Sequence, residues 1–470
     1  MFLRLTLLLS ILFFISCRDR KPKIEVNKST SEKEVSTIIP NLKIYIEDGI
    51  SMHGFFEKKS NFTTDIAKLF SNFPQINKIN FNLISGDDLN VKSITTDKFS
   101  LIKKIDNIDL EKRNFEGTDY PAMLNKVITE SNGNTISVFV SDFIHATDKG
   151  LSNDNAETQI FQILNDKKTK TRNFSIAILK FSSIFDGYFS YVSDYNKIIK
   201  GPKKIDTIKP YYVWFFGDND AIEKLNLNHR SLGDLNFKGF EDFSIYNEKR
   251  YDIIDNPINW TILQFTNSIG TFRPSRDSKT NEGILDIVDV KPDRETDEFQ
   301  ICIGIDLSKI PVSDEYKLDT SNFEIVSNGF KIEQISQLNG NNFEFNGVPS
   351  KVDSKDLNAF SKVKPTHLLF LKSNLKIVDN IEISFRRKIS PILIQSNSDD
   401  ESKLKNLMTY GFRNFTEAIK RSFPSYTDNS FYFTKKINVE NKKGGVSWIG
   451  ILIFLVVVVI IVFVVVKIKR

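Results

Sequence analysis

Leu42-Lys43-Ile44-Tyr45-Ile46-Glu47-Asp48-Gly49-Ile50-Ser51-Met52-His53-Gly54, LKIYIEDGISMHG, is the stretch on which the fold assignment turns. An apolar run of strand character stops abruptly at two carboxylates, a glycine and a serine. Four further apolar runs follow: Ile79–Ile84, Thr135–Val140, Phe174–Leu179 and Tyr211–Phe216. Between them stand segments of helical character, Phe62–Asn72, Tyr120–Glu130 and Ala156–Asp166, with a short one near Ala221–Leu225. In Ala156–Asp166, the apolar residues Ile160, Ile163 and Leu164 recur at helical spacing. Strands apolar on both faces suggest a parallel sheet covered on two sides. Alternating strands and helices then predict an α/β doubly wound domain, with ligands bound where strand C-termini meet loops.

After about Leu227 the texture changes. Short runs such as Phe299–Ile305, Thr366–Leu371 and Ile381–Phe385 are punctuated by turn residues, among them Asn339-Gly340, Pro349 and Pro391. Residues 227–440 therefore read as a mostly β, sandwich-like region, with room for two subdomains. One amphipathic helix is expected there, Lys403–Phe423, with Leu404, Leu407, Met408, Phe412, Phe415, Ile419 and Phe423 on one stripe.

Three segments of the first half carry a resemblance. Glu47-Asp48-Gly49-Ile50-Ser51 ends the first strand. Phe115-Glu116-Gly117-Thr118-Asp119 leads into the second helix. Ser137-Val138-Phe139-Val140-Ser141-Asp142 ends the third apolar run. In kind and order they are similar to the three segments of the von Willebrand factor A domain family, over residues 41–226. That resemblance implies a Rossmann-like fold and a metal-ion-dependent adhesion site for a protein or glycan partner. Carried over by position, Ser51 ligates Mg²⁺ directly, Thr118 directly or through water, and Asp142 through water, with Glu47 in place of the usual first Asp. Such a shell has near-octahedral oxygens at about 2.1 Å. The match departs at Glu47, one methylene too long, and at Gly49, where the first serine of the pattern belongs. Asp48 could enter only by a local change of register. The site is thus expected to be degenerate.

The two ends read separately from the fold. Residues 1–17, MFLRLTLLLSILFFISC, carry a short apolar core before Cys17. Phe14-Ile15-Ser16-Cys17 resembles a bacterial lipobox, which implies a signal peptide and lipidation at Cys17. Residues 18–40 are polar and charged, a tether. Val446–Val466, 21 residues without a charge, predicts a transmembrane helix followed by a basic tail, 467–470. Together these predict a bacterial cell-envelope protein held at a membrane, its main body outside the cytoplasm.

Composition bounds the rest. The chain has 470 residues, about two or three domains' worth. The 64 Lys and Arg nearly balance the 59 Asp and Glu, which leaves no footprint for nucleic acid. With only Cys17 and Cys302 present, stability rests on hydrophobic burial. An envelope hydrolase is the first alternative: Gly49-Ile50-Ser51-Met52-His53 resembles a nucleophile elbow with His at the second glycine. It lacks an obvious base, the other histidines being His145, His229 and His367. A structural subunit of a membrane complex is the second. Asp218 and Asn219, after another apolar strand, read as a helix cap.

Overall fold

The computed structural model describes residues 40–73, 76, 78–85, 89–95, 119–144, 153–171, 173–192, 198–227, 229–251, 257–275, 283–327, 329–374, 380–398, 408–426 and 429–440. Cys17, Thr118, His145 and the segments 1–39 and 441–470 lie outside them.

The largest sheet has seven strands: β1 (Asn41–Glu47), β2 (Lys78–Ser85), β3 (Asn90–Thr95), β4 (Thr135–Ser141), β5 (Phe174–Val192), β6 (Ile198–Asp218) and β7 (Phe240–Tyr246). Their order is β3-β2-β1-β4-β6-β5-β7. Each of the five apolar runs lies in one of these strands. The doubly wound α/β expectation is nevertheless wrong. Only β1 pairs in parallel, with β2 and β4; β2–β3, β4–β6, β6–β5 and β5–β7 are all antiparallel. The sheet is mixed, and strand predominates over helix among the described residues.

The reason is local. β6 follows β5 after a short connection and pairs with it along almost its whole length, from Phe174↔Asp218 to Val192↔Ile198. A hairpin needs only a short loop, whereas a parallel neighbour needs a crossover of a dozen residues or more. The returning strand therefore takes the place beside β4 that a wound sheet would give to β5. Its apolar run Tyr211–Phe216 is buried on both faces, as a parallel strand would be, so pattern alone does not separate the two cases.

The parallel part of the sheet is covered on both sides. Leu42, Ile44 and Ile46 of β1 pack with Phe62, Ile66, Leu69 and Phe70 of helix α2 (Phe62–Ser71), which follows the short helix α1 (Ile50–His53). Tyr45 faces the other way, into a core with Tyr120, Met123, Leu124 and Val127 of α3 (Tyr120–Glu130) and Ile160 and Leu164 of α4 (Asn153–Lys170).

Beyond Leu227 the chain forms mainly antiparallel sheets. One has four strands in the order Phe330–Gln337, His367–Ser373, Phe299–Ile305 and Trp260–Leu263. Another has three, Phe323–Val326, Ile381–Arg386 and Phe431–Ile437. No core boundary falls at 226/227: β7 completes the first sheet, and one apolar cluster runs from Tyr45 to Ile437. Within the expected helix Lys403–Phe423, Arg413–Ser422 is helical, while 403–407, with Leu404 and Leu407, lie outside the described residues. Thr409 and Tyr410 are extended, and Gly411 at φ 68° turns the chain before the helix begins. Its stripe residues Phe412, Phe415, Ile419 and Phe423 are buried against the first sheet, with Phe412 stacked on Tyr212 at 4.4 Å.

The expectation of a transmembrane helix also meets a correction. Among the described residues no helix is long and apolar enough to cross a membrane. The longest helix labelled above, α4, carries Asp154, Glu157, Asp166, Lys167, Lys168 and Lys170 in its 18 residues. Val446–Val466 itself lies outside the described residues.

Candidate functional site

β1 and β4 are adjacent and parallel, and the chain winds outward from β1 to β2 and β3 before returning to β4 on the other side. The C-terminal ends of β1 and β4 therefore form a topological switch point, where the flanking connections diverge and leave a crevice. Ile46↔Val140 is the last paired position, so Glu47 and Ser141-Asp142 emerge side by side.

Tyr120, the first residue of α3, joins them. Asp119 caps that helix by accepting from the Ala122 amide (3.1 Å), and Pro121 suits its first turn. The Tyr120 ring stacks on Phe143 (5.6 Å, 11°) and meets Phe415 edge-on. Its hydroxyl lies 2.7 Å from Glu47 Oε2, 2.8 Å from Ser141 Oγ and 3.1 Å from Asp142 Oδ1. Ser141 Oγ in turn donates to Glu47 Oε2 at 2.5 Å and accepts from the Phe143 amide. All four side chains are buried.

Counting protons decides what this knot can hold. Four oxygen–oxygen contacts link Glu47, Tyr120, Ser141 and Asp142, and the two hydroxyls supply two protons. A carboxylate is acceptor-only unless it is protonated. With both acids ionised, the two protons leave two of the four contacts without a donor. Asp142 has its carboxyl pushed up from the ordinary value, first by burial. Lys209 opposes that shift with its charge, and the Ile144 amide and the Ser51 and Tyr120 hydroxyls oppose it by hydrogen bonding. The Tyr120 hydroxyl is held well above its usual range by burial and by the charges of Glu47 and Asp142. Ser51 faces Asp142, yet Asp142 Oδ2 has no partner in strict hydrogen-bonding geometry among the described residues, so that contact is loose.

The turn that carries Ser51 is clamped from above. Phe185 of β5 covers Gly54, where an added Cβ would come 2.7 Å from the ring, and the Gly54 carbonyl accepts from the Asp186 amide (3.1 Å). Beyond their partners β4 and β7, β5 and β6 continue as a two-stranded ribbon, which supplies this cover. The ribbon also brings Lys209, buried and 5.5 Å over the Phe185 ring, whose charge acts on Asp142. Lys209 was missed in the sequence; its only signal was a cation set among apolar residues at the start of Tyr211–Phe216.

Of the residues expected to ligate Mg²⁺, Glu47, Ser51 and Asp142 are brought together, and Thr118 lies outside the described residues. The described ones do not fit the ion. The point on which Glu47, Ser141 and Asp142 converge is filled by the Tyr120 oxygen, at hydrogen-bonding distances and not the about 2.1 Å of a Mg²⁺ shell. Among the described residues no group of three His, Cys, Asp or Glu is placed to hold a metal. Asp48, although buried, continues the β1–β2 ladder by donating its amide to the Ile84 carbonyl (2.9 Å).

Among the described histidines, neither His53 nor His367 is hydrogen-bonded to Ser51 as the base of a nucleophile elbow would be. Ser51 lies in α1 and faces a carboxyl. The His53 imidazole sits 3.8 Å from Asp48, and burial lowers its pKa. His367 is in a strand of the second half, and His229 begins a helix there. Asp218 caps the helix that follows β6, accepting from the Asp220 amide at 2.9 Å.

No family model, no curated protein and no solved structure matches this chain.

Proposed function

We propose that this chain is an interaction protein that engages a protein or glycan partner at the switch-point face, through a surface that works without a bound metal. The observation that carries the reading is the Tyr120 hydroxyl, which ties the ends of β1 and β4 to the start of α3. Three remote segments are thereby fixed at the place where open sheets of this kind receive ligands. The order of the three segments, which resembles that of the von Willebrand factor A family, supports the same face. So does the rim. The ribbon of β5 and β6 stands beside the site and exposes Tyr188 (53%) and Ile208 (46%). Around them lie the ion pairs Lys59–Asp206, Lys59–Asp186 and Lys204–Asp186. An aromatic anchor within a polar rim is the composition of recognition surfaces. Among the described residues Ser51 is set against the Asp142 carboxyl, which supports the binding reading.

The test places a photo-crosslinking residue at Tyr188 or Lys58, both exposed, in the intact chain in its own cells. A discrete adduct from both positions, unchanged by chelator, is the expected result. Adducts that form only from the strand Phe330–Gln337, or that vanish with chelator, would refute the proposed face or its independence of metal.

A further inference from the structure

A second site lies at the other end of the sheet. Ser137↔Phe216 pairs near the start of β4, whereas the switch point lies beyond Ser141↔Tyr212. After Phe216 the chain passes Asp218 into the short helix Asn219–Glu223. Beside that helix, the segment after β7 and the loop Ser308–Pro311 enclose a cavity of about 420 Å³. That volume falls within the about 300–1,000 Å³ of small-molecule sites, and its position between the two halves of the chain is a common one for them.

The lining has two parts. Ile222, Leu227, Ile245 and Ile310 give an apolar wall of buried side chains. Four of the polar groups opposite it, Asn219, Glu223, Asn247 and Lys249, bond to one another or to Ser175. Asn219 Oδ1 accepts from Ser175 and Asn247, both at 3.0 Å, and Asn219 Nδ2 donates to Glu223 at 3.1 Å. Lys249 closes the set by donating to the same Glu223 oxygen at 2.5 Å, so the acid is neutralised within the wall. Lys309 is different: it lines the cavity, is exposed, and has no ion-pair partner among the described residues.

An ammonium with no ion-pair partner among the described residues, lining the same cavity as an apolar wall, selects a ligand with one anionic end and an apolar body. We propose that this cavity binds a small amphipathic carboxylate, its carboxyl on Lys309 and its hydrocarbon or ring against Ile222, Leu227, Ile245 and Ile310. The ion pair Glu223–Lys249 and the amide chain hold the polar wall rigid, so little ordering is left for the ligand to impose.

The probe is 4-fluorophenylacetate, followed by ¹⁹F line broadening on the intact chain, with inorganic phosphate as competitor. Saturable broadening is expected, weakened at least tenfold in Lys309→Met and abolished in Ser308→Trp, which fills the mouth. Both residues are exposed, so both variants should melt like the parent. Three results would overturn the proposal: no broadening with the parent chain, equal broadening in both variants, or displacement by phosphate as strong as by unlabelled phenylacetate. The last would reduce the site to a bare anion contact.

Discussion

Tyr120→Phe is the sharpest test of the carboxyl knot. The substitution keeps the ring, and so keeps its stacking on Phe143 and its edge contact with Phe415. What it removes is one oxygen within 3.1 Å of Glu47, Ser141 and Asp142. Loss of a hydrogen bond to a charged group costs about 1.5–3 kcal/mol, and a buried acceptor left without its donor adds to that. A total near 3 kcal/mol follows, a large part of the about 5–15 kcal/mol that holds a typical domain. Urea unfolding at neutral pH, followed by the fluorescence of the buried Trp214, measures it directly. The midpoint should fall with the slope unchanged. A double-mutant cycle then separates the knot from generic damage. With Glu47→Gln the charge that needs the hydroxyl is gone, so adding Tyr120→Phe should cost at least about 1 kcal/mol less than it does alone. A single variant within about 0.5 kcal/mol of the parent, or strict additivity in the cycle, would refute the reasoning.

The other expectations lie outside the site. His367 is pushed down to about 4 from 6.5, by burial first and by Lys317 second. Between those values the unfolded chain binds a proton that the native chain does not. Stability is therefore full above pH 6.5 and is lost as pH falls toward 4, by up to about 3 kcal/mol at 1.36 kcal/mol per unit; His367→Gln should flatten that limb of a pH–stability curve. Gly239→Ala should destabilise by at least about 3 kcal/mol in the same urea assay, because its Cβ would stand 2.0 Å from the Ser182 carbonyl oxygen and backbone has to move. Cys302 is fully buried and its thiol is held well above the ordinary range by burial. Its alkylation should therefore follow global unfolding, and fast labelling of the native chain would contradict the burial.

Much of the first half was legible because burial writes itself into sequence. Leu42, Ile44 and Ile46 alternate with Lys43 and Tyr45, and that run ends at Glu47 where the strand ends. Asp218 announced a helix start and serves as its cap, as Asp119 does for α3. The amphipathic stripe Phe412, Phe415, Ile419, Phe423 announced a buried helix face, although Gly411 moved the helix start to Arg413.

Local sequence determined where strands and helices form, because side-chain period and capping chemistry act over a few residues. It also marked Glu47, Ser51 and Asp142 as strand-end polar groups. Strand direction was decided only in three dimensions: a run buried on both faces looks the same in a parallel or an antiparallel sheet, and the β5–β6 hairpin settled the matter by pairing with itself. The site was decided there too. That Tyr120 would occupy the focus of the carboxyls, and that Lys209 would arrive from a ribbon folded over Gly54, depends on contacts between residues far apart in the chain, which no local pattern encodes.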